Sequence, residues 1–269
     1  MDKPYVLGLD LGGTNSVFGI VDTRGDIKAT TAIKTKGYAD VGGYVDAACL
    51  ALEPVIESVG GIDTIRGMGI GAPNANYYTG TIDNAANLEW KGSIPLAKMF
   101  SDKLGIPVAM TNDANAAAVG EMTYGVARGM KNFIMITLGV GSGIVVNGQL
   151  VYGSDGFAGE LGHVIVDYSA DARVCGCGRK GCLETYCSGT GIARTAREML
   201  VQDSRPSILR EYNIDEITGL EVTKAAQKGD QVATDILAFT GATLGKACAN
   251  FALFCSPEAF VFFGGPTKA

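Results

Sequence analysis

The chain has 269 residues, enough for one large α/β domain or two lobes of ordinary size, and its 47% apolar and 19% charged residues exclude a disordered or fibrous protein. With 22 basic against 28 acidic side chains the net charge is −6, which removes the electrostatic footprint of a nucleic-acid binder and favours a small neutral substrate. Glycine is in excess, 38 residues without a collagen period, so it is expected in turns and in loops that approach ligands closely.

Met1 to Asp10 has no apolar run bounded by a small-residue cleavage site, so no secretory signal is expected. Tyr5 to Leu11 reads as a β-strand that breaks at Gly12-Gly13-Thr14 and resumes as Val17 to Val21 before an Asp22-Thr23-Arg24-Gly25 turn. Next come a helix over Val41 to Ser58, a strand around Gly67 to Gly71, a short strand after Pro107 and an alanine-rich helix from Asn115 to Tyr124. Phe133 to Leu138 then repeats the opening layout: strand, Gly139-Val140-Gly141-Ser142-Gly143 turn, Ile144-Val145-Val146 strand, and an Asn147-Gly148 hairpin signal before Gln149 to Tyr152. Aligning Leu11-Gly12 with Leu138-Gly139 separates the copies by 127 residues, which implies two lobes on one plan, with a boundary between 111 and 112. The charge-free stretch from Asn132 to Ser154 is glycine-rich and strand-like, so we read it as a buried hairpin and expect no membrane span there. Gly191 to Val201 and Val232 to Cys255 read as helices, and Ala259 to Phe263 as a buried strand ending at Gly264-Gly265.

Asp10-Leu11-Gly12-Gly13-Thr14 puts a carboxylate at a strand end and glycines in the turn, where backbone N–H groups can reach an anion with no Cβ in the way. A plain hairpin would look the same. The matching Gly139-Gly141-Gly143 turn tips the balance towards two turns gripping a polyphosphate, since the lysine-bearing phosphate loop is absent. Gly176-Cys177-Gly178-Arg179-Lys180-Gly181 matches G-x-G-x-x-G formally, but no strand precedes it and we discount it. Cys175, Cys177 and Cys182 with His163, the only histidine, supply the three thiolates and one imidazole of a closed, structural zinc site. Cys49, Cys187, Cys248 and Cys255 have no such spacing and are expected in packing roles. Clustered thiols in odd number point to the reducing cytoplasm. Asn112-Asp113 can cap the alanine-rich helix, or Asp113 can accept a proton from a hydroxyl attacking phosphorus. Glu160, His163 and Glu184 flank the cysteines and offer contacts for vicinal sugar hydroxyls.

These residues resemble the ROK family of bacterial sugar kinases, within the actin-like, sugar kinase and Hsp70 fold group. The likeness rests on Asp10-Leu11-Gly12-Gly13-Thr14, Asn112-Asp113-Ala114-Asn115, Gly159-Glu160-Leu161-Gly162-His163 and the run from Cys175 to Glu184, in the family's order. It implies an α/β fold of two lobes, the actin-like ATPase (ribonuclease H-like) plan, with ATP and sugar in the interlobe cleft. On that plan 1–111 is the N-terminal lobe with the first phosphate turn, and 112–269 the C-terminal lobe with the second turn and the zinc loop. The resemblance implies ATP with Mg²⁺ on Asp10, Gly12, Gly13, Thr14, Asn15, Thr137, Gly139, Gly141, Gly143, Gly264 and Gly265. It implies a hexose on Asn87, Asn112, Asp113, Glu160, His163 and Glu184, Asp113 as catalytic base, and zinc on His163, Cys175, Cys177 and Cys182. It also implies a cytoplasmic homodimer acting as a glucokinase, with fructose, mannose, allose or an N-acetylhexosamine as other acceptors.

Asn87-Leu88-Glu89-Trp90 follows the family's Asn-Leu-x-x-Trp with the tryptophan one residue early. The second turn is two residues short of the family's Leu-Gly-Thr-Gly-x-Gly-x-Gly, and the sequence ends at Ala269, where relatives continue into a closing helix. We read both as segments missing from view rather than deletions, since a true loss from the turn would impair the ATP grip and leave a non-catalytic sugar binder. A sugar-sensing transcriptional regulator is the reading from another class, against which stand the acidic charge and a phosphate turn that begins at residue 10.

Overall fold

The computed structural model describes residues 3–264 apart from Ala86 and Leu138. The chain forms two compact units, 1–128 with 152–158, and 129–151 with 159–269.

The first unit opens with β1 (Tyr5–Leu11), β2 (Asn15–Asp22) and β3 (Ile27–Lys34), an antiparallel meander. It continues through α1 (Val41–Glu57), β4 (Ile65–Gly71), a small sheet of β5 (Ala75–Asn76), β6 (Thr81–Asp83) and β7 (Ser93–Ile94), then α2 (Leu96–Leu104), β8 (Val108–Thr111) and α3 (Asp113–Tyr124). The large sheet runs β3-β2-β1-β4-β8, with β1, β4 and β8 parallel. Leu7, Phe18, Ile20, Leu52, Ile65 and Phe100 are fully buried between sheet and helices. Parallel strands place their carboxyl ends on one edge, and Asp10, Gly71 and Thr111 are in register there. That edge is where ligands bind in open α/β sheets.

The second unit repeats the plan. Its strands β9 (Phe133–Thr137), β10 (Ser142–Val146) and β11 (Gln149–Leu150) form an antiparallel meander, and the sheet order is β11-β10-β9-β12, with β12 (Ala259–Phe263) parallel to β9. Asn147 and Gly148 both have positive φ, 53° and 76°, as the tight two-residue turn between β10 and β11 demands. Between the meander and β12 lie the cysteine loop and α4 (Glu184–Cys187), α5 (Gly189–Gln202), α6 (Gly219–Gln227) and α7 (Gln231–Cys255). Helix α7 is long and apolar enough to cross a membrane by length and composition alone, with a mean hydropathy of 1.3. Its Val232, Ala233 and Ile236 are buried in the core formed with α5 and α6. Cys187 is buried and Cys49, Cys248 and Cys255 half-buried, in keeping with packing roles.

The boundary expected at 111/112 is corrected to 128/129. Helix α3 stays with the first unit because its small residues seat on the end of β4, where a Cβ added at Gly71 would lie 3.2 Å from Ala116. Residues 152–158 return to that unit: the Tyr152 ring stacks on Tyr77 at 4.2 Å, and Asn76 donates to the Asp155 carbonyl at 2.7 Å.

Candidate active site

In the first unit, Asp10 ends β1 and the turn closes with the Gly12 N–H on the Asn15 carbonyl at 3.0 Å. Thr14 and Asn15 are exposed, and Lys34 donates to Asn15 Oδ1. A Cβ at Gly13 would come within 2.8 Å of the Asn87 carbonyl, so only glycine allows the turn and the Asn87 backbone to lie so close. This seats Asn87 beside the first glycine turn despite the early tryptophan, and Trp90 packs on Tyr44 at 4.7 Å between centroids. Asn112 caps α3 by accepting the Asn115 N–H at 2.7 Å, which leaves its amide N–H groups for a ligand. The capping reading of Asn112 thus holds. Asp113 is exposed in the first turn of α3, and one oxygen accepts from the Ala114 N–H at 2.9 Å. Burial, with the charge of Asp113, raises the Asp10 pKa above the usual carboxylate value.

In the second unit, the Thr137 N–H donates to the Gly141 carbonyl at 2.8 Å and the Val140 N–H to the Thr137 carbonyl at 2.8 Å. These two bonds close the turn between Thr137 and Gly141. The resulting three-residue loop ends on a residue in the left-handed region, normally glycine, and here it is Val140 at φ 62°. Gly139 is exposed, Gly141 half-buried and Gly143 buried. Ser142 hydrogen-bonds to the Gly159 carbonyl and accepts from the Leu161 N–H at 3.3 Å, which ties the turn to the segment carrying Glu160 and His163. Phe263 stands beside Thr137 in the parallel pair, which places Gly264 next to this turn. Gly265 lies outside the described residues.

His163 presents its two nitrogens to different neighbours. Nδ1 lies 3.5 Å from Cys175 Sγ and 3.9 Å from Glu184 Oε1, while Nε2 lies 4.0 Å from Glu160 Oε2. The donor atoms of His163, Cys175, Cys177 and Cys182 all fall within 4.8 Å of one another, and the Cys175 thiol donates to Glu184 at 2.8 Å. Burial, then Glu184, pushes the Cys175 thiol up, and burial does the same to Cys182. Burial also opposes ionisation of Cys177, yet hydrogen bonds from Arg179 bring it down to about 6. Three thiols and an imidazole in this arrangement are the donor set of a closed zinc site, and a divalent cation would ionise all three. Two isolated bridges, Ile165 with Cys182 and Val174 with Lys180, shape the loop. A Cβ at Gly181 would overlap the Asp167 carbonyl.

Arg173 was not foreseen. It is buried, donates to the carbonyls of Thr185 and Gly191 and to Thr195, pairs with Glu198 at 2.6 Å and stacks over Tyr186 at 4.4 Å. It thereby fixes the cysteine loop to α4 and α5, and no local pattern announces it. A cavity of about 570 Å³ within this unit is lined by Gly139 and Glu184 together with Thr190, Arg194 and Arg197, so the second turn and a sugar-binding candidate share one space.

Residues 6–269 match the model of the ROK family. The chain belongs to the ROK family. It is 37% identical over 277 positions to a glucokinase of Halalkalibacterium halodurans, covering 100% of this chain and 82% of that protein. The ROK glucokinase of Streptomyces griseus, crystallised with glucose and AMPPNP, superposes with a TM-score of 0.77 at 34% identity, over 98% of this chain and 84% of that one. A ROK transcriptional regulator, a homologue of the E. coli MLC protein, superposes with a TM-score of 0.81 at 26% identity, over 97% of this chain and 65% of that one. The two units are thus the two lobes of the ROK sugar-kinase fold.

Proposed function

We infer that the chain is an ATP-dependent hexose kinase that phosphorylates the 6-hydroxyl of glucose. The observation that carries this reading is the near full-length match to glucokinases, one of them seen with glucose and an ATP analogue, joined to an exposed carboxylate, Asp113, at the ligand-binding edge of the sheet. Asp113 takes the hydroxyl proton as oxygen bonds to the γ-phosphorus and the bond to the ADP leaving oxygen breaks. Its other oxygen holds the Ala114 N–H, which orients the base. Asn112, Asn87, Glu160, Glu184 and the Nε2 side of His163 position the sugar hydroxyls. Gly12 to Asn15, Thr137, Gly139, Gly141, Gly143 and the Gly264-Gly265 pair receive the nucleotide, so most of the rate comes from positioning and electrostatics.

Mg²⁺ fits beside Asp10, whose pKa is raised by burial and then by the charge of Asp113, and a divalent cation there would offset the charge of both carboxylates. When bound it neutralises charge on the phosphates. His163, Cys175, Cys177 and Cys182 would hold zinc in a structural role, in which the metal would brace the loop that carries His163. ATP as donor and thiols kept reduced for the metal support a cytoplasmic location. A homodimer belongs to the same reading, and light scattering gives the mass that tests it.

Sugar-dependent ADP release across glucose, fructose, mannose, allose and N-acetylhexosamines tests the whole, with glucose expected to give the highest kcat/KM. No ADP with any hexose, together with sugar-dependent DNA retention in a gel, would establish the regulator instead.

A further inference from the structure

Three buried hydroxyls form a chain that ends on the first glycine turn. Tyr44 Oη donates to Ser16 Oγ at 2.8 Å, Ser16 and Thr35 hydroxyls are 2.8 Å apart, and Thr35 Oγ1 donates to the Gly12 carbonyl at 2.7 Å. Tyr44 and Ser16 are wholly buried and Thr35 is 3% exposed, so none of the three exchanges partners with water. Each hydroxyl has one proton. Because Thr35 gives its proton to Gly12, Ser16 must donate to Thr35, and Tyr44 to Ser16, which fixes the direction of the whole chain. Burial pushes the Tyr44 phenol up to about 12, so it remains a donor throughout the working range.

Across a trans peptide the carbonyl and the following N–H point in opposite directions. Thr35 therefore sets the Gly13 N–H by holding the Gly12 carbonyl on the other side of the same plane. Among the described residues none accepts from the Gly13 N–H. The Thr35 N–H, on the Thr14 carbonyl at 3.0 Å, holds the peptide between Thr14 and Asn15 in the same way.

We propose that Tyr44, Ser16 and Thr35 are positioning residues that aim the backbone N–H groups of the first glycine turn at the nucleotide phosphates. This rests on the kinase reading for the identity of the ligand, and it explains why a core with ample apolar residues spends three hydroxyls behind this one turn. Donors in such a chain polarise one another, so the effect of the outermost hydroxyl should reach the turn in diluted form.

The test is calorimetric titration of ADP with Mg²⁺, run beside steady-state kinetics, on wild type, Thr35→Val, Thr35→Ser and Tyr44→Phe. Thr35→Val keeps the shape and removes the bond, and should weaken ADP and raise the KM for ATP about tenfold. Its KM for glucose should stay within a factor of about two of wild type, as should the ADP affinity of Thr35→Ser, which restores the hydroxyl. Tyr44→Phe should weaken ADP about two- to threefold. A merely structural role would lower the melting temperature and leave these ratios alone. Wild-type ADP affinity in both Thr35→Val and Tyr44→Phe, an equal rise in both KM values, or a Thr35→Ser as weak as Thr35→Val would overturn the proposal. Should Thr35→Val not fold, the Tyr44→Phe ratio decides. Wild-type turnover judges the kinase reading separately, since ADP affinity is measured without catalysis.

Discussion

The turn between β1 and β2 has one closing bond of its own, from the Gly12 N–H to the Asn15 carbonyl, and is held from outside by Thr35 on the Gly12 and Thr14 carbonyls, whereas the turn between β9 and β10 has two closing bonds, through Thr137, Val140 and Gly141. Both link the first two strands of a meander beside a parallel neighbour, so the same plan has been finished twice by different means. The first turn can stay short and open because buried hydroxyls carry its constraint. In the second, a β-branched residue sits at φ 62°, a conformation that costs of order 1–3 kcal/mol, while its side chain is only 3% exposed and the burial returns a similar amount. A turn anchored by neighbours keeps its N–H groups for a ligand. One closed by its own hydrogen bonds has fewer to offer.

The largest effect should come from the first unit's edge. Asp113→Asn removes the proton acceptor and should lower kcat by a factor of about a thousand or more while glucose still binds, as calorimetry would register. Turnover near wild type would remove the catalytic half of the comparison. In the second unit, Cys182→Ser or chelation should release zinc, lower the melting temperature and weaken glucose by about tenfold or more, because the loop that holds His163 and Glu184 in place loosens with the metal gone. Elemental analysis that finds no zinc in the purified wild type would sink this one. Inserting Thr-Gly after Gly139, to restore the family's spacing, should lower the KM for ATP by about threefold, since a longer turn frees backbone donors. An unchanged or higher KM would mean that the short turn is already complete.

Asp10→Asn bears on electrostatics alone. Burial and the Asp113 charge raise the folded pKa of Asp10, so the folded protein binds this proton more tightly than the unfolded chain does. The ionised carboxylate therefore costs stability as pH rises through that range, and nothing well below it. The asparagine variant should melt at most about 2 °C higher at pH 8 and no higher at pH 3.5, even as turnover falls. A lower melting temperature at pH 8 would contradict the stated cause. Smallest of all, Val140→Gly should leave the melting temperature within about 2 °C, because relief of the left-handed valine offsets its lost burial.

Much of this was legible along the chain because its signals are local. The strand at 259–263 appears with the predicted bounds, and the repeat of strand, glycine turn and strand reappears as a topological repeat. The cysteine cluster with His163 could be read from spacing, since a metal site needs its donors close in space and three of them are close in sequence. Strand β3 and helices α2 and α6 were not anticipated. In β3 the residues Ile27, Ala29, Thr31 and Ile33 alternate with Lys28, Thr30, Ala32 and Lys34, and a threonine in the first set and an alanine in the second blur the alternation of an edge strand. Helix α6 is announced by a capping box, Thr218 with Glu221, rather than by an apolar run.

Sequence alone determined the family and the two-lobed plan, because each depends on residue types at short separations. Tertiary structure decided the unit boundary, since α3 joins whichever sheet its small face fits, and that contact lies about 45 residues away at Gly71. It also decided that burial and then Asp113 raise the Asp10 pKa, that Arg173 locks the cysteine loop, and that Tyr44, Ser16 and Thr35 line up behind Gly12. Hydrogen-bond partners and desolvation are set by what surrounds a group in space, and no window along the chain contains those surroundings.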